Sequence, residues 1–160
     1  MLDLTLLILK SLWYILPSYM ANMSPVIFGG GRPLDMGKKF LDGRRILGDH
    51  KTIKGFASGI LIGTLVGCLQ GRSLTGFLLS LGAMLGDSLG SFVKRRIGIE
   101  AGGSAPFLDQ EGFLIISILF SYPVEPLDMW SILFLLVVTP ALHKGTNVIA
   151  HRLGLKGVDH

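Results

Sequence analysis

Charge is confined to a few segments of this chain, and the intervals between them are long and neutral. Residues 11–31, 55–71, 73–86, 112–124 and 129–142 hold no Asp, Glu, Lys or Arg. A hydrocarbon crossing needs roughly 20 apolar residues, and tilt and bilayer thinning widen that to about 17–25. The last three intervals are short on that count; residues 87–93 must extend the third and 144–150 the fifth. A charged fraction of 16% and a mean hydropathy of +0.57 lie on the membrane side of soluble averages. The expectation is an all-α integral membrane protein with about five transmembrane helices. A single transmembrane domain over 1–160 follows, with long loops over about 29–54 and 95–111.

The early apolar stretch lacks a basic first region and a small-residue cleavage site, so it reads as a retained helix with Pro17 as a kink or break. Cys68 has no second cysteine to pair with and reads as a small packing residue. The formal charge of +4 does not indicate nucleic acid, because the cations flank the neutral intervals. Arg32, Lys38, Lys39, Arg44, Arg45, Lys51 and Lys54 fall in the first loop, Lys94, Arg95 and Arg96 after the third interval, and Lys144, Arg152 and Lys156 near the end. The other side carries Arg72 with Glu125 and Asp128. By the positive-inside rule both long loops and the C-terminus are cytoplasmic and the N-terminus is outside, which places a multi-pass protein in the cell membrane. Lys10, within the first helix, either snorkels outward or pairs inside the bundle.

Chemistry concentrates in GDSLGSFVKRRIGIEAGGSAPFLDQEGF, residues 86–113. Asp87 interrupts an apolar run, an expensive place for an ionisable group. Ser91 and Lys94 follow at plus four and plus seven, on the same helical face, and Arg95 comes next. A glycine-rich loop then brings Asp109 back toward Asp87 if it forms a hairpin. Two carboxylates facing several cations is the chemistry of a divalent metal holding a polyphosphate. Glu111 adds further oxygen donors. The plainer readings are an ion pair of Asp87 with Lys94 or Arg95, and Asp109 or Glu111 as caps of the fourth helix.

The first loop is too long for a simple connection. Its glycines allow close backbone approach to a ligand, and Asp42-Gly43 and Gly48-Asp49 mark turns. Residues 31–39 resemble a P-loop poorly: five residues separate the glycines and Lys39 stands where a hydroxyl should touch magnesium. A basic collar for anionic headgroups would use the cations, but it has no need of Asp35, Asp42 and Asp49. Phe40, Leu41, Ile46 and Leu47 are apolar enough to pack on the membrane face of the protein. Gly59, Gly63 and Gly67 recur every four residues, for close helix packing or room for a lipid chain. His143, Lys144, Thr146 and Asn147 either face the same cavity or, for His143, only cap the bundle, and residues 151–160 read as an interfacial tail.

GDSLGSFVKRR followed by PFLDQ, together with GGGRPLDMGKKFLDGRRILGDHKTIKGF, resembles the archaeal CDP-archaeol synthases, which belong with the CDP-diacylglycerol synthases. The resemblance implies a magnesium-dependent cytidylyltransferase that converts CTP and an isoprenoid ether-lipid phosphate to a CDP-lipid and pyrophosphate. It implies catalytic roles for Asp87, Lys94 and Asp109, and metal ligation by Asp87 and Asp109 with Glu111 as a further donor. Nucleotide binding is expected of Lys38, Lys39, Asp42, Arg44, Arg45, Gly48, Asp49, Lys51, Thr52, Lys54, Ser91 and Arg95, with Asp49 or a loop amide reading the base. Ser91, Lys94 and Arg95 match the first half of the wider synthase signature. In the second half Gly112 stands at the last acidic position, beside Glu111, and the His-Gly-Gly element of the bacterial enzymes is absent.

Three other functions compete. A CDP-alcohol phosphotransferase needs Asp-x-x-Asp-Gly-x-x-Ala-Arg, and Asp42-Gly43 lacks both flanks. A small-ion or solute transporter with Asp87 on its pathway predicts ionisable groups spread through the membrane depth, whereas here they lie at one end. A lipid-binding scaffold needs only the cations and tolerates Asp87→Asn.

Overall fold

The first neutral interval lies in α1, Leu4–Phe28. Asp3 starts it, its carboxylate accepting from the backbone of Thr5 and Leu6 at 3.0 and 3.4 Å, which satisfies donors that a helix start leaves open. Pro17 and Pro25 both sit inside α1, so Pro17 does not end the helix. The chain is described by a computed structural model covering residues 3–103 and 105–152, with side chains except at 106, 107, 143, 146, 147 and 149–152.

Residues 29–52 form the first loop, and α2, Ile53–Leu69, follows. Thr52 caps α2 by accepting from the Gly55 amide at 3.1 Å. A tight turn through Gly71, whose φ of +73° favours glycine, leads into α3, Ser73–Arg96. After the second loop come α4, Pro106–Gln110, α5, Gly112–Ser121, and α6, Met129–Arg152. The five longer helices fall where the five neutral intervals predict them. The short α4 was not anticipated. Among the described residues there is no strand beyond two isolated bridges in the first loop, Pro33–Thr52 and Lys39–Arg45.

Among the described residues only α1 and α3 are long and apolar enough to cross a membrane on their own; α2, α5 and the apolar Met129–Leu142 part of α6 are shorter. At 1.5 Å per residue the 10 residues of α5 reach only about 15 Å, half a hydrocarbon core.

The glycine row of α2 faces α1 and α3 and leaves no space for a lipid chain. A Cβ on Gly63 would lie 2.5 Å from the Pro17 carbonyl oxygen, and one on Gly67 would lie 2.4 Å from the Gly76 Cα. A Cβ on Gly86 of α3 would come as close to α5, 2.6 Å from the Gly112 carbonyl oxygen. Small residues therefore let the backbones touch, as helices in lipid require when no hydrophobic force drives them together. Hydroxyl pairs complete the packing: Tyr14 with Ser121 at 2.8 Å, Ser18 with Ser117 at 2.7 Å, Tyr19 with Thr139 at 2.7 Å. Ile15, Leu79, Leu114 and Leu135 fill the core between them.

Candidate active site

Both long loops meet at one end of the bundle, where α3 runs out in Lys94, Arg95 and Arg96. The first loop is built around Asp35, whose buried carboxylate accepts from the amides of Gly37, Leu47 and Gly48 at 3.0, 2.9 and 3.1 Å and from the Arg45 guanidinium at 2.7 Å. Burial raises its pKa, but these donors outweigh that and hold the carboxyl well below the usual carboxylate range. Sequence reading missed Asp35 as the loop's hub. The available signal was Asp35-Met-Gly37, a side chain accepting from its own backbone two residues on.

Several expected nucleotide ligands are engaged in this framework. Arg44 donates to the Arg95 and Arg96 carbonyls at 3.1 and 3.0 Å, closing the C-terminus of α3. Arg45 clamps Asp35 and also pairs with Asp49 at 2.8 Å; both carboxylates push its guanidinium upward. Asp42 accepts from the Arg44 amide and lies 3.1 Å from Arg96. Thr52 holds the Gly30 amide as well as the start of α2. Lys38, Lys39 and Lys54 are exposed, the Lys54 stem lying over Gly31.

The chemical groups lie beneath this framework. Asp87 does not pair with Lys94 or Arg95; it accepts from Lys51 of the first loop at 2.6 Å. Lys94 instead donates to Asp109 at 2.6 Å and to the Gly103 carbonyl at 3.2 Å. The second loop does fold back on α3, with the Leu108 carbonyl 3.1 Å from where a Cβ on Gly90 would stand. Asp109 also accepts from the Ala105 amide at 2.9 Å, so local capping and the Lys94 pair coexist. Ser91, Lys94 and Arg95 are all buried. Arg95 lies against Gly48, 3.2 Å from a Cβ built there, and its Nε has no hydrogen-bond partner.

Glu111 precedes α5 but makes no capping bond, because its side chain turns inward. It is 5% exposed, and neither carboxylate oxygen has a hydrogen-bond partner. A cleft at Asp87 is lined by polar side chains, His50, Lys51, Thr52 and Ser88, and by apolar ones, Pro25, Leu34, Phe56 and Met84. His50 was not anticipated, and a lone histidine in a basic loop gives no signal for it. The expectations for His143, Thr146, Asn147 and residues 153–160 lie outside the described side chains, while Lys144 is exposed.

The CarS-like CDP-archaeol synthase family matches residues 4–160. The chain is 48% identical to the CDP-archaeol synthase of Pyrococcus horikoshii, covering 94% of this chain and 96% of that one. It is 52% identical to that of Thermococcus kodakarensis, over 91% and 92%, and 51% identical to that of Methanopyrus kandleri, over 93% and 91%. A solved structure described as an intramembrane enzyme for archaeal membrane lipids biosynthesis superimposes with a TM-score of 0.77 at 39% identity, over 88% of this chain and 94% of that one. A transport pathway through Asp87 gains no support from these likenesses.

Proposed function

The chain belongs to the CDP-archaeol synthase family, and from that premise we propose a membrane cytidylyltransferase that makes CDP-archaeol. Its substrates are CTP and an isoprenoid ether-lipid phosphate, and pyrophosphate is released. The observation that carries the reading is the pair of lysine-held carboxylates, Asp87 with Lys51 and Asp109 with Lys94, beside a buried Arg95 whose Nε has no hydrogen-bond partner among the described residues.

A lipid phosphate oxygen attacks the α-phosphorus of CTP, and the bond from that phosphorus to the β-phosphate bridging oxygen breaks. The phosphate is ionised near neutral pH, so no strong base is needed. The work of the protein is to bring two polyanions into line against their repulsion. Lys51, Lys94 and Arg95 supply fixed positive charge where the phosphates meet, and Lys38, Lys39 and Lys54 extend that field outward. Arg44, Arg45 and Asp35 act one step back, holding the loop that carries Lys51. The mixed polar and apolar lining of the cleft at Asp87 suits the junction where a phosphate joins hydrocarbon.

Magnesium, when bound, would supply positive charge against the negative charge developing on the departing pyrophosphate. Asp87 and Asp109 would hold it, with Glu111 as a further donor whose oxygens are otherwise unpartnered. Among the described residues no three His, Cys, Asp or Glu side chains form a ready cage. That fits an ion usually held by one or two carboxylates plus substrate phosphates and water.

The whole chain acts as one transmembrane catalytic domain of five crossings, with both long loops and the C-terminus cytoplasmic, the N-terminus outside and the active site on the cytoplasmic side. The concentration of Lys and Arg at the loop end supports this orientation. Pyrophosphate release by purified protein with CTP, magnesium and the ether-lipid phosphate, beside Asp87→Asn, tests the reading. Lipid-dependent release that the variant loses is expected. No release from folded wild type with any divalent ion would overturn it.

A further inference from the structure

Residues 38–46 of the first loop form a tight hairpin, closed by the Phe40 amide donating to the Arg44 carbonyl at 2.8 Å and the Ile46 amide donating to the Lys38 carbonyl at 3.1 Å. It is fastened to the last turns of α3. The Arg96 guanidinium lies over the rings of both Phe40 and Phe92, at 4.9 and 4.8 Å, and those rings meet edge to face at 5.3 Å. Arg96 also donates to the Arg45 carbonyl at 2.6 Å, and Arg44 returns the contact to the carbonyls ending α3. A hairpin held in this way cannot fold its tip away. Yet its tip is Leu41, 96% exposed, with Met36 nearby at 68%.

The neighbouring surface of α3 is apolar too. Phe92 and Arg96, which hold the hairpin, share one row of the helix, and the adjacent row is Leu89, Val93 and Ile97, spaced four apart and all exposed. Lys38 and Lys39 flank the hairpin and form no ion pair among the described residues. An apolar tip on a hairpin fastened through Phe40 and Phe92 to a helix whose next row is apolar, with the unpaired ammonium groups of Lys38 and Lys39 at its base, matches the boundary of an anionic bilayer, where hydrocarbon and acidic headgroups lie within a few ångströms of each other.

We infer that the hairpin is an interfacial anchor: Leu41 is immersed at the headgroup–hydrocarbon boundary beside the Leu89–Val93–Ile97 row, and Lys38 and Lys39 bind anionic lipid headgroups. The occupant is the bilayer itself. The anchor fixes the loop that bears Lys51 at the level where a lipid phosphate arrives.

The test is cysteine accessibility in a Cys68→Ala background, comparing Leu41→Cys with Asp49→Cys, whose parent side chain is 70% exposed. Each is reacted with a membrane-impermeant maleimide in nanodiscs of phosphatidylglycerol and phosphatidylcholine, and in lipid-free amphipol. Leu41→Cys should label at least tenfold more slowly in nanodiscs than Asp49→Cys, and recover in amphipol. Adding Lys38→Gln and Lys39→Gln should speed its labelling in the anionic discs, with no change in discs of phosphatidylcholine alone. Equal labelling of the two cysteines in nanodiscs overturns the anchor. Protection that persists in amphipol also overturns it, since protein, such as a second copy, would then be the cover.

Discussion

At the far end of the bundle Arg72 donates to Glu125, to the Tyr14 carbonyl and to Gln70, and lies over the Tyr14 ring. At the loop end Arg95 is more deeply buried, and its Nε has no hydrogen-bond partner among the described residues. Both ends use ion pairs, and both arginines keep a buried Nε without a partner, but the far end ties three parts of the chain together through the other guanidinium nitrogens of Arg72. The loop end holds two lysine–carboxylate pairs, each joined by one short contact, next to the Arg95 guanidinium and a Glu111 carboxylate with no hydrogen-bond partner among the described residues. Burying unpaired charge costs several kcal/mol unless a partner arrives. The far end is thus the more finished by folding, while the loop end leaves open groups that, on the proposed reading, substrate and metal would meet.

Exchanging the chemistry of the ends is the strongest way to break this comparison. Asp87→Asn should lower kcat by about 10²–10³-fold, the scale of removing one transition-state electrostatic contact, while the melting temperature in detergent stays close to wild type. Arg72→Met should do the reverse, destabilising by about 1–3 kcal/mol as Glu125 and the Tyr14 carbonyl lose their donor, with the specific activity of folded protein near wild type. An Asp87→Asn protein that melts early and keeps its turnover would make the two ends equivalent.

Between the ends, Gly67→Val probes the packing that both depend on. A Cβ there meets the Gly76 Cα at 2.4 Å, backbone against backbone, so α2 and α3 must separate. A loss of about 1–3 kcal/mol is expected from overpacking, with activity falling only as folded protein is lost.

The helices were legible because lipid tolerates charge only at its borders, so gaps between charges mark elements whatever their packing. Asp87, Lys94 and Asp109 stand out as candidates for the same reason: ionisable groups at the edge of apolar runs need an explanation. Which lysine meets which aspartate was not legible, since Lys51 reaches Asp87 through a loop whose shape depends on Asp35 and Arg45. Composition counts Arg44 and Arg45 as two more cations for a nucleotide; only the fold shows them bound to the end of α3 and to Asp35. Glu111 likewise looks like a cap in sequence, and the direction in which its side chain turns is decided by the break between α4 and α5.

Glu111→Gln sharpens the contrast through opposite signs. Removing an unpaired buried charge should leave metal-free stability unchanged or higher by about 1–3 kcal/mol, while the magnesium concentration for half-maximal activity rises tenfold or more, as for loss of a group that supports a metal. Chemical unfolding in chelator and a magnesium titration read the two quantities separately. A loss of metal-free stability would mean that Glu111 has a structural partner and belongs with the finished end.

The smallest effect is expected at Lys10 and Asp128, whose side chains are 60% and 42% exposed and 3.1 Å apart. Exposed pairs contribute about 0–1 kcal/mol, so Lys10→Met should barely move the unfolding midpoint. The pH dependence says why. The Ser131 amide, then Lys10, then the Ser131 hydroxyl push the Asp128 carboxyl down to about 2. A depressed carboxyl stabilises fully above its unfolded value, roughly 4, and loses that contribution as pH falls toward 2. Between pH 5 and 8 any difference between Lys10→Met and wild type is therefore constant and at its largest, and it fades as pH falls toward 2. Because the Ser131 amide comes first and remains in the variant, most of the depression should survive, seen by titrating the Asp128 carboxyl in both proteins. If Lys10→Met instead restored an ordinary carboxylate value and cost more than 1 kcal/mol near neutrality, the far end would depend on a solvent-facing charge, and its contrast with the loop end would shrink to the Arg72 cluster alone.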